Sequence, residues 1–290
     1  MKKKIIMLIV FVVFIFGFCS YFILQGKMSK KINITDKKTT FYKVLDCYDL
    51  PEHETFSNTI KKKGVQKQFE TLYYELNNAK KIRYYEVYES LLQYQGYYDK
   101  DKSFLNEYGF VSNEELDGFI NQEIKIDGKE MLLTNIKGIF ISERAFNEDL
   151  LLKEHIKKGS SFSSSDFLYN NKEINVVLGC KYAEWYNIGE RINVLYLGYP
   201  LKLNIVGFLD ETAFIKIEND CISLDSYIVL PSFIIENKSA IDNDFIVMHW
   251  SNKTKGFLSI NNDKELDEFE EIVKEIGLDY TCIPMSEEEK

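Results

Sequence analysis

The strongest pattern along the chain is its first. Ile5 to Leu24 is apolar almost without interruption, and no charge falls between Ile5 and Gly26. About twenty residues rising ~1.5 Å each span the ~30 Å hydrocarbon core of a bilayer, and only a helix satisfies its backbone there. The pattern predicts a transmembrane helix over 5–25. Lys2, Lys3 and Lys4 lie in a cytoplasmic tip over 1–4, which directs the bulk of the chain to the extracytoplasmic side of the cell membrane. Signal-peptide cleavage is disfavoured because the exit, Ser20 to Gly26, lacks the small residues that processing needs. Phe18 before Cys19 argues likewise against a lipid on that cysteine.

After a polar tether over 26–38, the periodicity changes repeatedly. Thr39 to Tyr48 reads as a strand. Phe56, Ile60, Val65, Phe69, Leu72, Tyr73 and Leu76 recur at near-helical spacing up to Ala79, with Gly64 as a blemish, and Ile82 to Tyr88 alternates as a strand does. A second β-α-β reading closes the chain. Phe245 to Trp250 and Gly256 to Ile260 are expected strands. Asn262 and Glu265 cap a helix whose apolar face is Leu266, Phe269, Ile272, Val273 and Ile276, Gly277 stops it, and Leu278 to Ile283 returns as a strand.

Between these units the chain is strand-rich. Asp127-Gly128 marks a hairpin between Glu123–Ile126 and Glu130–Thr134. Strands follow over Ile136–Ser142, Ile174–Leu178, Ile192–Tyr196, Leu201–Phe208 and Tyr227–Leu230, with a short helix over Asn147–Lys158. The expectation is an α+β fold: a first half-subdomain over 39–120, a β-rich insertion over 121–240, the second half over 241–285 and an acidic tail over 286–290.

Composition narrows the function. The chain carries a net charge of -9, and Lys2 to Lys4 are the only charges before Lys27, so the part from Lys27 onward stands at -12. Such a domain repels phosphate backbones, which excludes nucleic acid as a partner. Four cysteines follow the apolar run (Cys47, Cys180, Cys221, Cys282), too widely spaced for a dense disulfide scaffold, and free buried thiols are the favoured reading. His53, His155 and His249 are far apart and none stands at ligand spacing from a cysteine, so neither a metal nor another cofactor is expected.

The most specific stretch begins at Gly159. Gly159-Ser-Ser-Phe162 leads to Asp166. Ile174-Asn-Val-Val-Leu178-Gly179 leads to Tyr182, Ala183 and Tyr186, then to Gly189-Glu190-Arg-Ile192, and Val206-Gly207 follows in a strand. These residue types serve turns and close packing: Gly179 ends a strand sharply, Ala183 lets a helix approach a sheet, Gly189-Glu190 turns into a new strand, and Gly207 marks a bulge or a close backbone approach. The stretch resembles the extracytoplasmic, MacB-like periplasmic core domain of the MacB/FtsX-like ABC-transporter permease family, with Glu190 in place of the family's Asp. The resemblance implies a porter-like subdomain built from the two outer halves. It also implies a separate ABC ATPase and a multi-span permease subunit as partners.

A search for chemistry returns little. Ser160 to Ser165 contains no Gly-x-Ser-x-Gly elbow, the nearest histidine is His155, and no phosphate-binding loop is present. A catalytic site is therefore not expected. The leading expectation is an anchored, non-enzymatic component of an ABC transport system that relays conformational change or engages a substrate of unstated identity. The alternative is an anchored binding or sensor protein for an extracellular ligand such as a cationic peptide.

Overall fold

A computed structural model describes residues 39–285 apart from 52, 107–116, 127, 170–172, 218–219, 237 and 239–240. In chain order the strands are β1 (Thr40–Asp46), β2 (Arg83–Tyr85), β3 (Val87–Gln95), β4 (Gln122–Ile126), β5 (Lys129–Ile141), β6 (Ile156–Gly159), β7 (Leu168–Tyr169), β8 (Ile174–Leu178), β9 (Arg191–Tyr196), β10 (Tyr199–Leu209), β11 (Phe214–Ile217), β12 (Asp220–Ser223), β13 (Ile228–Pro231), β14 (Ile234–Ile235), β15 (Gly256–Ile260) and β16 (Tyr280–Pro284). The helices longer than one turn among the described residues are α1 (Val65–Asn78), α2 (Asn243–Lys253) and α3 (Leu266–Ile276).

Six strands close on themselves. The order β13-β8-β10-β9-β3-β5 runs round a barrel because β5 pairs back onto β13. The seams β8–β10 and β5–β13 are parallel and the other four are antiparallel. Closure leaves no free edge within this ring. Tight turns set the register locally: Leu197 and Gly198 hold φ of 53° and 77° between β9 and β10, the twist that two-residue hairpins require.

Alternation along the strands sorts the apolar residues into two cores. Tyr88, Leu92, Ile136, Phe140, Val176, Leu178, Val194, Tyr196, Leu203 and Leu230 belong to one cluster that fills the barrel and runs on to the helices. Val87, Ile139, Ile141, Val177 and Val229, of the opposite parity, and Leu209, switched to that face by a bulge in β10, pack outward under Phe146, Phe162 and Phe167.

Besides two two-stranded pairs, β11-β12 and β14-β7, a separate four-stranded antiparallel sheet runs in the order β16-β1-β15-β2, so strands from both ends of the described chain meet in this small sheet. Its helices explain themselves by spacing. α1 buries Val65, Phe69, Leu72, Tyr73 and Leu76, and α3 buries Phe269 and Val273 and ends at Gly277, whose φ is 73°. α1 packs on both α2 and α3. α2 is wedged between α1 and the barrel: Trp250 meets Tyr73 at 5.4 Å, Phe245 stacks on Tyr199 at 4.5 Å and His249 stacks on Phe233 at 4.6 Å.

Several expectations are corrected. The α+β class does not hold: the described chain is mostly β-strand around a closed six-stranded barrel, with few helices. Phe245 to Trp250 is not a strand but the middle of α2. Asp242 caps that helix by accepting from the Asp244 and Phe245 amides, and burial on nearly all sides erases the one-sided stripe that marks a surface helix. Asn147–Lys158 is not one helix, because two short turns, Ala145–Asp149 and Leu152–His155, lead into β6. Gly64, at φ 87°, divides the expected long helix into a single turn at Phe56–Thr59 and α1. The apolar run over 5–25 lies outside the described residues, and among the described residues no helix is long and apolar enough to cross a membrane.

Candidate functional site

The stretch read as one strand, Ile82 to Tyr88, is shared between two sheets. β2 belongs to the small sheet, β3 to the barrel, and Glu86 is the residue between them. Its carboxylate is fully buried and accepts from Lys253 Nζ at 2.5 Å, from Tyr73 OH at 3.1 Å and from Ser232 Oγ. Lys253, at the end of α2, also donates to Ser232 Oγ at 2.8 Å and to the Ser232 carbonyl at 3.1 Å, and its ammonium lies 4.5 Å from the Tyr73 ring centre. Burial pushes the Lys253 amine below its ordinary range, and Glu86 opposes that push. Each member comes from a different element: α1, the β2–β3 crossing, the segment after β13, and α2. The cluster therefore ties the helices, the small sheet and the barrel at one point. A second tie lies beside it. Asp149, buried in the turn after β5, pairs with Arg83 of β2 and with Arg144, and Arg144 also donates to the Tyr84 carbonyl.

Ser232 and Lys253 stand at the spacing of a serine–lysine nucleophile pair. Both are sealed, at 3% and 0% exposure, so a substrate does not reach them. His155 spends Nδ1 on Asp210 at 3.2 Å and on Thr212 Oγ1 at 3.2 Å, while Ser160 Oγ donates to the Val206 carbonyl. The geometry thus holds these groups in structural contacts.

The residues of the Gly159–Gly207 stretch occupy joints of the barrel wall. Gly159 and Gly207 face each other across the β6–β10 pair, and β10 bulges between Ile205 and Gly207. A Cβ on Gly159 would lie 2.2 Å from the Val206 carbonyl oxygen, and one on Gly207 2.5 Å from that of Ser160. Gly179 has ordinary backbone angles, so its role is not the sharp turn expected of it. A Cβ there would lie 2.0 Å from the Leu224 carbonyl oxygen, and close approach is the reason for glycine. Asp166 accepts from the Ser163 amide and hydroxyl and from Asn175, holding the turn that buries Phe162 against Phe146 and Phe167. Leu178 and Ile192 are buried in the barrel. Tyr182 is buried and stacks on Phe104 at 3.8 Å. Glu190 accepts from the Asn187 amide beside Gly189, which stands at φ 86°. Ala183 is exposed in a short 3₁₀ turn, so the close helix-on-sheet packing expected of it does not occur. Tyr186 instead joins Tyr94 and Tyr98 around the Lys100 ammonium, with ring centres 5.0–5.8 Å away.

The four described cysteines are free, but only Cys47 is buried. Cys47 lies beside His53 and Asp279, one donor atom of each falling within 4.8 Å of the others, and His53 Nδ1 meets Asp279 Oδ2 at 2.5 Å. Burial, then Asp279 and Asp46, push the Cys47 thiol upward, so it is not primed as a free nucleophile. Sequence spacing hid this cluster because Asp279 stands 226 residues beyond His53.

Compared with known proteins, the chain matches no family model and no curated protein sequence.

The joint has a pH signature. His249 in α2 is fully buried, and its imidazole is held down to about 3 by burial first and by the Lys253 charge second, against the opposing hydrogen bond to the Phe233 carbonyl. The unfolded chain takes up this proton near pH ~6.5. Stability from this group is therefore complete above that value and falls by about 1.4 kcal/mol per pH unit as pH drops from ~6.5 towards the folded value. Unfolding free energies from urea denaturation between pH 7.5 and 4.5 should show a slope against pH in the native chain steeper by about one proton than in His249→Gln. Equal slopes would remove His249 as the source.

Proposed function

We propose that this chain is a membrane-anchored, non-enzymatic extracytoplasmic component of an ABC transport system, which passes mechanical displacement from its small sheet to its barrel. The observation that supports this reading is the buried Glu86–Lys253–Ser232–Tyr73 joint. A segment leading from the apolar N-terminal run enters β1, the small sheet is bound to the helices, and the joint binds both to the barrel, so a displacement applied at β1 reaches the barrel as rigid-body motion. A separate ATPase and a multi-span permease subunit would supply the work. Purification of the tagged full chain from membranes in mild detergent should co-recover an ABC ATPase or a multi-span permease. Repeated recovery of the chain alone, or its appearance in the soluble fraction without detergent, would overturn the proposal.

A second reading, an anchored receptor for cationic peptides, is favoured by the three tyrosines that already surround one ammonium, that of Lys100. Under that reading Lys100→Ala vacates the ring cluster and strengthens binding of a lysine-rich peptide at low salt. Unchanged binding would dismiss it.

A further inference from the structure

We propose that Cys47, His53 and Asp279 form a zinc-binding site that clamps the loop after β1 to the segment entering β16. Three chemically different donors converge here: a thiol, an imidazole and a carboxylate, each within 4.8 Å of the others. They come from the two ends of the described fold, and hydrogen bonds from main-chain amides hold those ends together. The Cys47 amide donates to the Asp279 carbonyl at 2.9 Å, and the Asp279 amide donates to Tyr48 OH at 3.2 Å. The intervening loop is closed on itself: the His53 amide donates to the Leu50 carbonyl, the Asp49 amide to that of Glu54, and the Phe56 amide to Asp49 Oδ1. These bonds brace the backbone on which Cys47 and His53 sit without any ion.

The donor set selects the ion. A thiolate and a carboxylate together supply two negative charges, matching a divalent cation. Calcium and magnesium take oxygen donors almost entirely, whereas sulfur with imidazole suits zinc. Metal–donor bonds of about 2.0–2.3 Å in a tetrahedron place the donors roughly 3.3–3.6 Å apart, so no separation need close by more than about 1.2 Å, and the His53–Asp279 hydrogen bond opens by about 0.8 Å. His53 and Asp279 have the freedom to do this, their side chains being 38% and 39% exposed. Three protein donors leave one position over for a water, and a cavity of about 110 Å³ bordered by Asp279, Tyr48, Glu54, Lys62 and Gln68 opens beside one of the donors. β16 and β1 are adjacent in the small sheet, so a bound ion would fasten its outer edge at the point where β1 ends. The spacing of cysteines and histidines gives no sign of zinc here, because the third donor, Asp279, stands 226 residues beyond His53.

Cobalt(II) is the probe, because a thiolate ligand gives it an intense near-ultraviolet charge-transfer band. The full chain in detergent, kept reduced, is titrated with cobalt and then with zinc. The expected result is a band that saturates at one equivalent, disappears on adding zinc, and is weakened at least tenfold in affinity in each of Cys47→Ser, His53→Gln and Asp279→Asn. Zinc should also raise the melting temperature of the native chain but not that of His53→Gln. Replacing the buried Cys47 can disturb folding, so the exposed His53 and Asp279 variants decide. No band in the native chain, a band that survives in either of those two variants, or an equal zinc effect on melting in the native chain and His53→Gln would overturn the proposal.

Discussion

Replacing Lys253 with Met is expected to lower the unfolding free energy by about 3–5 kcal/mol, among the largest single effects available in this chain. The cause is what remains behind. Glu86 is left at 1% exposure with its ammonium partner gone, and the hydroxyls of Tyr73 and Ser232 do not replace that partner. The double variant Glu86→Gln with Lys253→Met should recover most of the loss, because a neutral amide still accepts from Tyr73 and still reaches Ser232. The coupling between the two changes should exceed about 1 kcal/mol, since residues sharing one buried network are not additive. Urea denaturation of the native chain, both single variants and the pair closes this cycle. Additive losses would show that the ion pair is not what binds the helices to the barrel.

The second large effect separates the glycines. Gly179→Ala forces a methyl group to within 2.0 Å of the Leu224 carbonyl oxygen and 2.4 Å of Asp225 backbone atoms. Main chain on both sides leaves nothing flexible to yield, and the cost should reach or pass the ~3 kcal/mol upper range of overpacking. Gly189→Ala meets no atom within 4 Å and carries only the strain of φ 86°, about 1–2 kcal/mol. Denaturation midpoints at unchanged m-value should therefore fall much further for Gly179→Ala than for Gly189→Ala. Equal small losses would contradict the close approach of the β8 end to the Leu224–Asp225 segment.

What could be read from the sequence was local. β1, α1 and α3 follow from periodicity and stop signals, because each buries one face at its own period, whereas β15, buried on both faces, and β16 follow from short apolar runs beside turn residues. The hairpin turn at Gly128 follows from a residue that tolerates positive φ. The barrel did not announce itself, since its closing seam pairs Gly138–Ile141 with Ile228–Pro231 in parallel, across some ninety intervening residues. α2 was hidden by its burial: Phe245, Ile246, Val247, His249 and Trp250 read as a strand because an apolar run that is covered on nearly every side has no period. The candidate sites were hidden for the same reason as the barrel. Glu86 and Lys253, like His53 and Asp279, are single polar residues that acquire meaning only from a partner far along the chain. Glu86 in particular looked like the polar position of an ordinary alternating strand, and the crossing between sheets has no local signature.

Native-state hydrogen exchange tests the central claim, that the joint makes the small sheet and the barrel one mechanical unit. Amides of β1 and β15, the inner strands of the small sheet, should open with the same free energy as those of β3 and β5 in the barrel, and Lys253→Met should divide the two sets. If β1 and β15 already exchange through a separate, much less costly opening in the native chain, the two bodies are independent and the relay does not exist.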